Sequence, residues 1–134
     1  MHEATISYRD DLRPSTEAIV ALYRAAALAR PVDAPERIAR MYAAANLILT
    51  AWDGEELVGI LRAWSDGGFL GYIADLAVSP DYQRQGIGRE LLRRALASDT
   101  EVTFLLNAAP EAKDYYEHIG WQAVTNGWIW RRER

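Results

Sequence analysis

Cysteine is absent from the 134-residue sequence, which removes a disulfide framework, a thiolate metal site and a cysteine nucleophile together. Long apolar runs are missing too. No stretch approaches the roughly 20 residues needed to cross a bilayer, and residues 1–10 hold no apolar leader core, so a soluble cytoplasmic protein without membrane contact is expected. Basic residues are not in excess: 15 Lys and Arg against 19 Asp and Glu leave a net charge of -4. That balance speaks against a broad nucleic-acid surface and suits a small cationic partner better. Histidine occurs only twice; His118 falls off the apolar stripe of its segment and His2 sits near a terminus, so both are expected at the surface and no metal site is indicated. Repeats, low-complexity tracts and linkers are also lacking. With half of the residues hydrophobic, one domain over residues 1–134 is expected.

What is present reads as alternating periodicities. Ile6 to Tyr8 suggests a short strand. Ser15 or Thr16 can cap a helix whose apolar positions Ile19, Leu22, Tyr23 and Ala26 recur at helical spacing. Asp33, Pro35 and Glu36 have the form of a capping box with proline in the first turn, opening a second helix to about Ala44. Leu47 to Trp52 and Leu57 to Trp64 are β-favouring runs joined at Asp53-Gly54, a hairpin signal, and Leu70 to Val78 follows a second turn at Asp66-Gly67-Gly68. From Gly86 the period becomes helical, with Ile87, Leu91, Leu92, Ala95 and Leu96 on one face. Val102 to Leu106 reads as a buried strand and Ala112 to Ile119 as a short helix. Trp121 to Val124 and Trp128 to Trp130 flank Thr125-Asn126-Gly127, which predicts a closing hairpin. The fold class is α+β in three layers: a mixed, mostly antiparallel sheet of six to seven strands flanked by about four helices, with one strand-helix-strand crossover.

Gln83-Arg84-Gln85-Gly86-Ile87-Gly88 lies where a strand ends and a helix begins. Free backbone N–H groups point outward at such a junction, and glycines at alternate positions let a phosphate approach without meeting a Cβ. No Gly-Lys-Ser/Thr follows, so it is not a nucleoside-triphosphate loop. Leu91 stands where a dinucleotide fingerprint needs a third glycine.

Gln83-x-x-Gly86-x-Gly88, preceded by Leu76-Ala77-Val78-Ser79-Pro80, resembles the acetyl-CoA signature of the GCN5-related N-acetyltransferases. Asn107 at a strand end and Tyr115-Tyr116-Glu117-His118-Ile119-Gly120-Trp121 are similar to that family's later motif, and the resemblance covers Leu47 to Trp130. It implies acetyl-CoA as co-substrate, with the backbone of Leu76, Ala77 and Val78 pairing to the pantetheine arm. It further implies a pyrophosphate cradle of Arg84, Gln85, Gly86, Ile87, Gly88 and Arg89, a pantetheine contact from Asn107, and Tyr116 as general acid toward the leaving thiolate. The family often carries a β-bulge where its fourth and fifth strands part, a feature that sequence does not place. Direct transfer to a primary amine follows from the resemblance, since there is no cysteine and no evident Ser-His pair. The alternative is a catalytically silent acyl-CoA-binding regulatory or interaction module, and a homodimer is possible in either case.

Several residues have a plainer reading. Arg93 and Arg94 belong to a solvated helix face, with Glu90 and Arg94 an i,i+4 pair. Tyr115 and Tyr116 lie on an apolar stripe with Ala112 and Ile119, where either is explained by packing alone. Asp75 lies inside an apolar strand, where a carboxylate must be partnered or face a cavity; catalytic base and structural ion pair are both open. Trp52, Trp64 and Trp128 are candidates to line an acceptor pocket. Asp75, Asp66, Glu55 and Glu111 are the carboxylates expected to draw a cationic small-molecule amine to the cleft.

Overall fold

A computed structural model describes residues 5–133; the expectation for His2 lies outside them. The elements run β1 (Ser7–Arg9), α1 (Thr16–Ala25), α2 (Pro35–Ala44), β2 (Leu47–Asp53), β3 (Glu56–Ser65), β4 (Leu70–Val78), α3 (Ile87–Ser98), β5 (Thr103–Leu106) and α4 (Lys113–His118). Single turns of tighter helix occupy Pro80–Tyr82 and Pro110–Ala112.

The strands form one mixed sheet in chain order, antiparallel from β1 to β4 and parallel between β4 and β5. The parallel pair is the one that needs a crossover, and α3 supplies it. The sheet therefore has five strands among the described residues, not six or seven. The predicted closing hairpin accounts for the difference. The chain does bend at Thr125-Asn126, but its flanks form no strand ladder and residues 121–133 contain no strand. An isolated two-stranded ribbon is marginal in water, and β5, only four residues long, offers little ladder for a sixth strand to extend.

Each face of the sheet carries its own core. On one side α3 buries Ile87, Leu91, Leu92 and Ala95 against Leu49, Leu61, Ile73 and Phe104. On the other, α1 and α2 bury Ile19, Leu22, Tyr23, Ile38 and Tyr42 against Ile48, Ile60 and Ala77. Ser15 caps α1 by accepting from the Ala18 N–H at 3.1 Å. The expected capping box of α2 does not form. Its N-cap is Ala34 without a side-chain bond, and Asp33 instead accepts from Arg24 at 3.0 Å; Pro35 at the helix start is as expected.

One irregularity matters for function. Arg62 pairs with Asp75 and Ala63 with Ile73, so Ala74 is an extra residue, a β-bulge in β4. A bulge reverses which side chains face which layer. Ile73 and Leu76 accordingly lie with the α3 core, while Asp75 and Ala77 face α1 and α2.

Candidate active site

Strand β5 follows β4 only from Leu70–Thr103 to Ile73–Leu106. Past that point Leu76, Ala77 and Val78 pair with β3 alone, and their outer edge faces the gap where β4 and β5 part. An unpaired backbone edge accepts an extended, amide-bearing chain as it would another strand.

The glycine loop closes one end of this edge. Arg84 has φ 64 and Gly86 φ 82, two left-handed residues around Gln85, a conformation that turns successive N–H groups into a concavity for an anion. Left-handed backbone is strained for arginine and ordinary for glycine. Gly86 is also the N-cap of α3 and supplies no side-chain cap; the first helical bond runs from the Glu90 N–H to the Gly86 carbonyl at 3.0 Å. The N–H groups of Ile87, Gly88 and Arg89 are thus left outward, with the helix dipole behind them. A Cβ built at Gly86 would meet nothing within 4 Å, and one at Gly88 would only touch Val78 and Leu76 at 3.7 and 3.8 Å. Packing demands neither glycine; the left-handed backbone accounts for Gly86, whereas Gly88 leaves room for a ligand such as a pyrophosphate to approach the loop. Gln83 ties the loop to β4 by donating to the Val78 carbonyl at 3.2 Å, and the Tyr82 hydroxyl donates to Asp53. Arg93 and Arg94 both bind Glu90, and Arg94 covers the Tyr8 ring, consistent with a solvated helix face.

At the other end, Asn107 follows β5 and its amide donates to the Tyr72 hydroxyl at 2.6 Å. Tyr116 lies half-buried on α4, packed against the α3 core and edge-on to both Tyr115 and Trp121. No described residue hydrogen-bonds its hydroxyl, and burial, followed by the neighbouring Tyr115, pushes that hydroxyl above its ordinary pKa. It therefore stays protonated at neutral pH, as a proton donor must.

Asp75 does not have the setting of a base. Arg30 Nε donates to Oδ1 at 2.6 Å, Arg62 Nε to Oδ2 at 2.6 Å and the Tyr23 hydroxyl to Oδ2 at 2.7 Å. Tyr42 in turn is hydrogen-bonded to Tyr23; since a carboxylate only accepts, Tyr23 gives it its proton and receives that of Tyr42. Burial alone would raise the Asp75 pKa, but Arg62, then Tyr23 and Arg30, hold the carboxyl below the usual range. The structure thus favours the ion-pair reading of Asp75.

The far side of the split opens into a cleft of about 1210 Å³ between the α1–α2 layer and residues 124–132, meeting the sheet at Arg62, Trp64, Tyr72 and Ala74, with Asn107 just past β5. Trp64 and Trp128 line it, while Trp52 packs instead against the α1–α2 core. The carboxylates expected to draw a cation do not line it. Asp75 lies behind its arginines, Asp66 accepts the N–H groups of Gly68, Phe69 and Leu70, Glu55 is in the β2–β3 turn and Glu111 in the turn before α4. Arginines line the cleft instead, a feature hidden in sequence because they come from four separate segments.

Comparison with known proteins agrees with this geometry. A GNAT acetyltransferase domain model matches residues 15–128. The chain is 36% identical over 83 residues to the chloroplastic GCN5-related N-acetyltransferase 2 of Arabidopsis thaliana, 56% of this chain and 32% of that one. It spans about a third to two-fifths of the length of the curated relatives it matches. A GNAT family acetyltransferase of Streptococcus pneumoniae superposes with TM-score 0.77 at 26% identity, covering 97% of this chain and all of that one. The aminoglycoside N-acetyltransferase AAC(6')-Iy, solved in complex with CoA, shares the fold at TM-score 0.71 and 13% identity, over 99% and 98% of the two chains. With the glycine loop, the bulged β4 and the split from β5 in place, the chain belongs to the GNAT acetyltransferase family.

Proposed function

We propose that this chain transfers an acetyl group from acetyl-CoA to a small primary amine by direct attack in a ternary complex. The observation that carries the reading is the continuity of the left-handed Arg84–Gly86 loop, the uncapped N-terminus of α3 and the unpaired edge of Leu76–Val78. A pyrophosphate on the loop directs the pantetheine along that edge, with its thioester at the gap between Ala74 and Asn107, where the acceptor cleft begins. The CoA held by the AAC(6')-Iy fold relative supports the same choice of coenzyme.

In the reaction the amine lone pair attacks the thioester carbonyl and a C–N bond forms. A backbone N–H on β4 stabilises the oxyanion. The C–S bond then breaks, Tyr116 protonates the leaving thiolate, and the nitrogen loses its proton to water. No acyl-enzyme is formed. The cytoplasm is the location that goes with this reading.

Calorimetry with acetyl-CoA, followed by turnover against a panel of amines, tests the proposal. Saturable binding and amide formation are expected. No binding would overturn it, and binding without turnover on any amine would move the assignment to a coenzyme-binding module.

A further inference from the structure

The acceptor cleft is positive although the chain is acidic. Arg30, Arg37, Arg62, Arg131 and Arg132 line it and no aspartate or glutamate among the described residues does. The carboxylate of Asp75, just behind the wall, is shared by Arg30 and Arg62. Met41, Trp64, Tyr72 and Trp128 supply apolar surface between them.

Arg62 is the built element of this wall. Its side chain is only 9% exposed. Asp75 fixes its Nε, while the rings of Trp64 and Tyr42 lie 5.5 and 5.8 Å from its guanidinium carbon. Its terminal nitrogens have no described hydrogen-bond partner, and no buried side-chain polar atom among the described residues is unsatisfied, so these nitrogens open to the cleft. A guanidinium anchored through Nε, with aromatic rings near it, presents a planar fork of N–H groups, the geometry that takes a carboxylate or phosphate. Arg30 is used differently: it spends Nε on Asp75, and its terminal nitrogens on the Ala29 and Ala74 carbonyls at 2.7 and 2.9 Å, which holds the bulge.

We infer that the acceptor is an amine that also carries an oxyanion, a carboxylate or a phosphate, on an apolar body: the anion docks on Arg62 and the amine reaches the gap at Ala74 and Asn107. This rests on the acyl-transfer reading and narrows its substrate.

The test is binding to the full chain without coenzyme, so that it is read independently of acyl transfer. Amino acids and amino-alkyl phosphates are titrated beside their methyl esters, the matching decarboxylated amines and spermidine. At least one anion-bearing compound is expected to bind about tenfold or more tightly than its ester, since a charge-assisted hydrogen bond is lost in the ester. Arg62→Lys, which keeps the charge and loses the fork, and Arg132→Gln, on the exposed segment, should each weaken that compound several-fold and leave the ester unchanged. Equal or tighter binding of the esters, amines or spermidine, or anion binding indifferent to both substitutions, overturns the inference. Failure of acetyl-CoA to bind while the anion preference stands would overturn the acyl-transfer reading alone.

Discussion

Arg62 and Asp75 stand opposite each other on β3 and β4, Nε 2.6 Å from Oδ2, one residue from the bulge at Ala74. The pair thereby joins three jobs in one place: it neutralises a buried charge, aims the Arg62 fork and, through Arg30, fastens the extra residue that separates β4 from β5.

Asp75→Asn leaves Arg62 buried without a counter-charge, and loss of one partner of a buried pair typically costs about 3–5 kcal/mol. Urea unfolding should show a fall of that order, and the double variant Asp75→Leu with Arg62→Met should recover much of it. The pH dependence has a definite sign. Because the folded-state pKa of Asp75 is lowered, its stabilisation is full above the ordinary carboxylate pKa of about 4 and is lost as pH falls through the folded value. That acid limb should shrink in the double variant. A folded, fully stable Asp75→Asn that had lost turnover would restore Asp75 as the base.

Gly86→Glu sets a carboxylate where the proposed pyrophosphate would lie. Like charges at contact cost several kcal/mol, so acetyl-CoA affinity should fall by on the order of a hundredfold. Gly86→Ala separates backbone strain from charge: with φ 82 and open space around the new Cβ, it should cost about 1 kcal/mol of stability and weaken the coenzyme far less. Unchanged affinity in a folded Gly86→Glu would remove the basis of the coenzyme assignment.

Much of this was legible in the sequence where the signal is local. Strand β4 was expected over Leu70 to Val78, the span it occupies, because a polar turn and Ser79-Pro80 bound it. The helix at Ile87 was legible because its apolar positions share one face. The bulge at Ala74 was not, since it reflects how β4 registers on β3 and no residue type marks it. The α2 capping box failed because the helix starts one residue later, with Ala34 as its N-cap, and Asp33 instead accepts from Arg24 on the preceding helix. The closing hairpin failed because a turn signal at Asn126-Gly127 fixes a bend and not a ladder partner. The sign of the cleft was misread for a related reason: net charge is a sum over the chain, and the cleft collects arginines from the α1–α2 loop, α2, β3 and the last residues.

The segment after α4 is exposed yet lines one side of the cleft. Trp128 is 98% exposed and Trp130 97%, yet only Trp128 faces the cleft. Trp128→Ala should leave stability within about 0.5 kcal/mol and acetyl-CoA affinity unchanged, while raising the KM for the amine several-fold. Trp130→Ala is the control and should be silent in steady-state kinetics. Equal effects of the two would mean that the segment does not form the wall.

Tyr116 is the proposed acid, and its neighbour provides the control. Phenylalanine at Tyr116 keeps the ring that lies edge-on to Trp121 at 5.8 Å, and the deleted hydroxyl has no described partner, so unfolding free energy should change little. Only the proton is removed. A positioned general acid contributes on the order of 10² to 10⁴ in rate, so kcat should fall at least about tenfold with acetyl-CoA affinity nearly constant, even where water substitutes in part. Tyr115→Phe should be almost silent. The pH profile adds a second reading: the raised pKa of Tyr116 means the wild-type acid is lost only as pH rises beyond the ordinary tyrosine value of about 10, and the Tyr116→Phe profile should lack that alkaline limb. Small, equal effects of the two substitutions, with the limb preserved in both, would make Tyr116 a packing residue and leave the thiolate to be protonated by water.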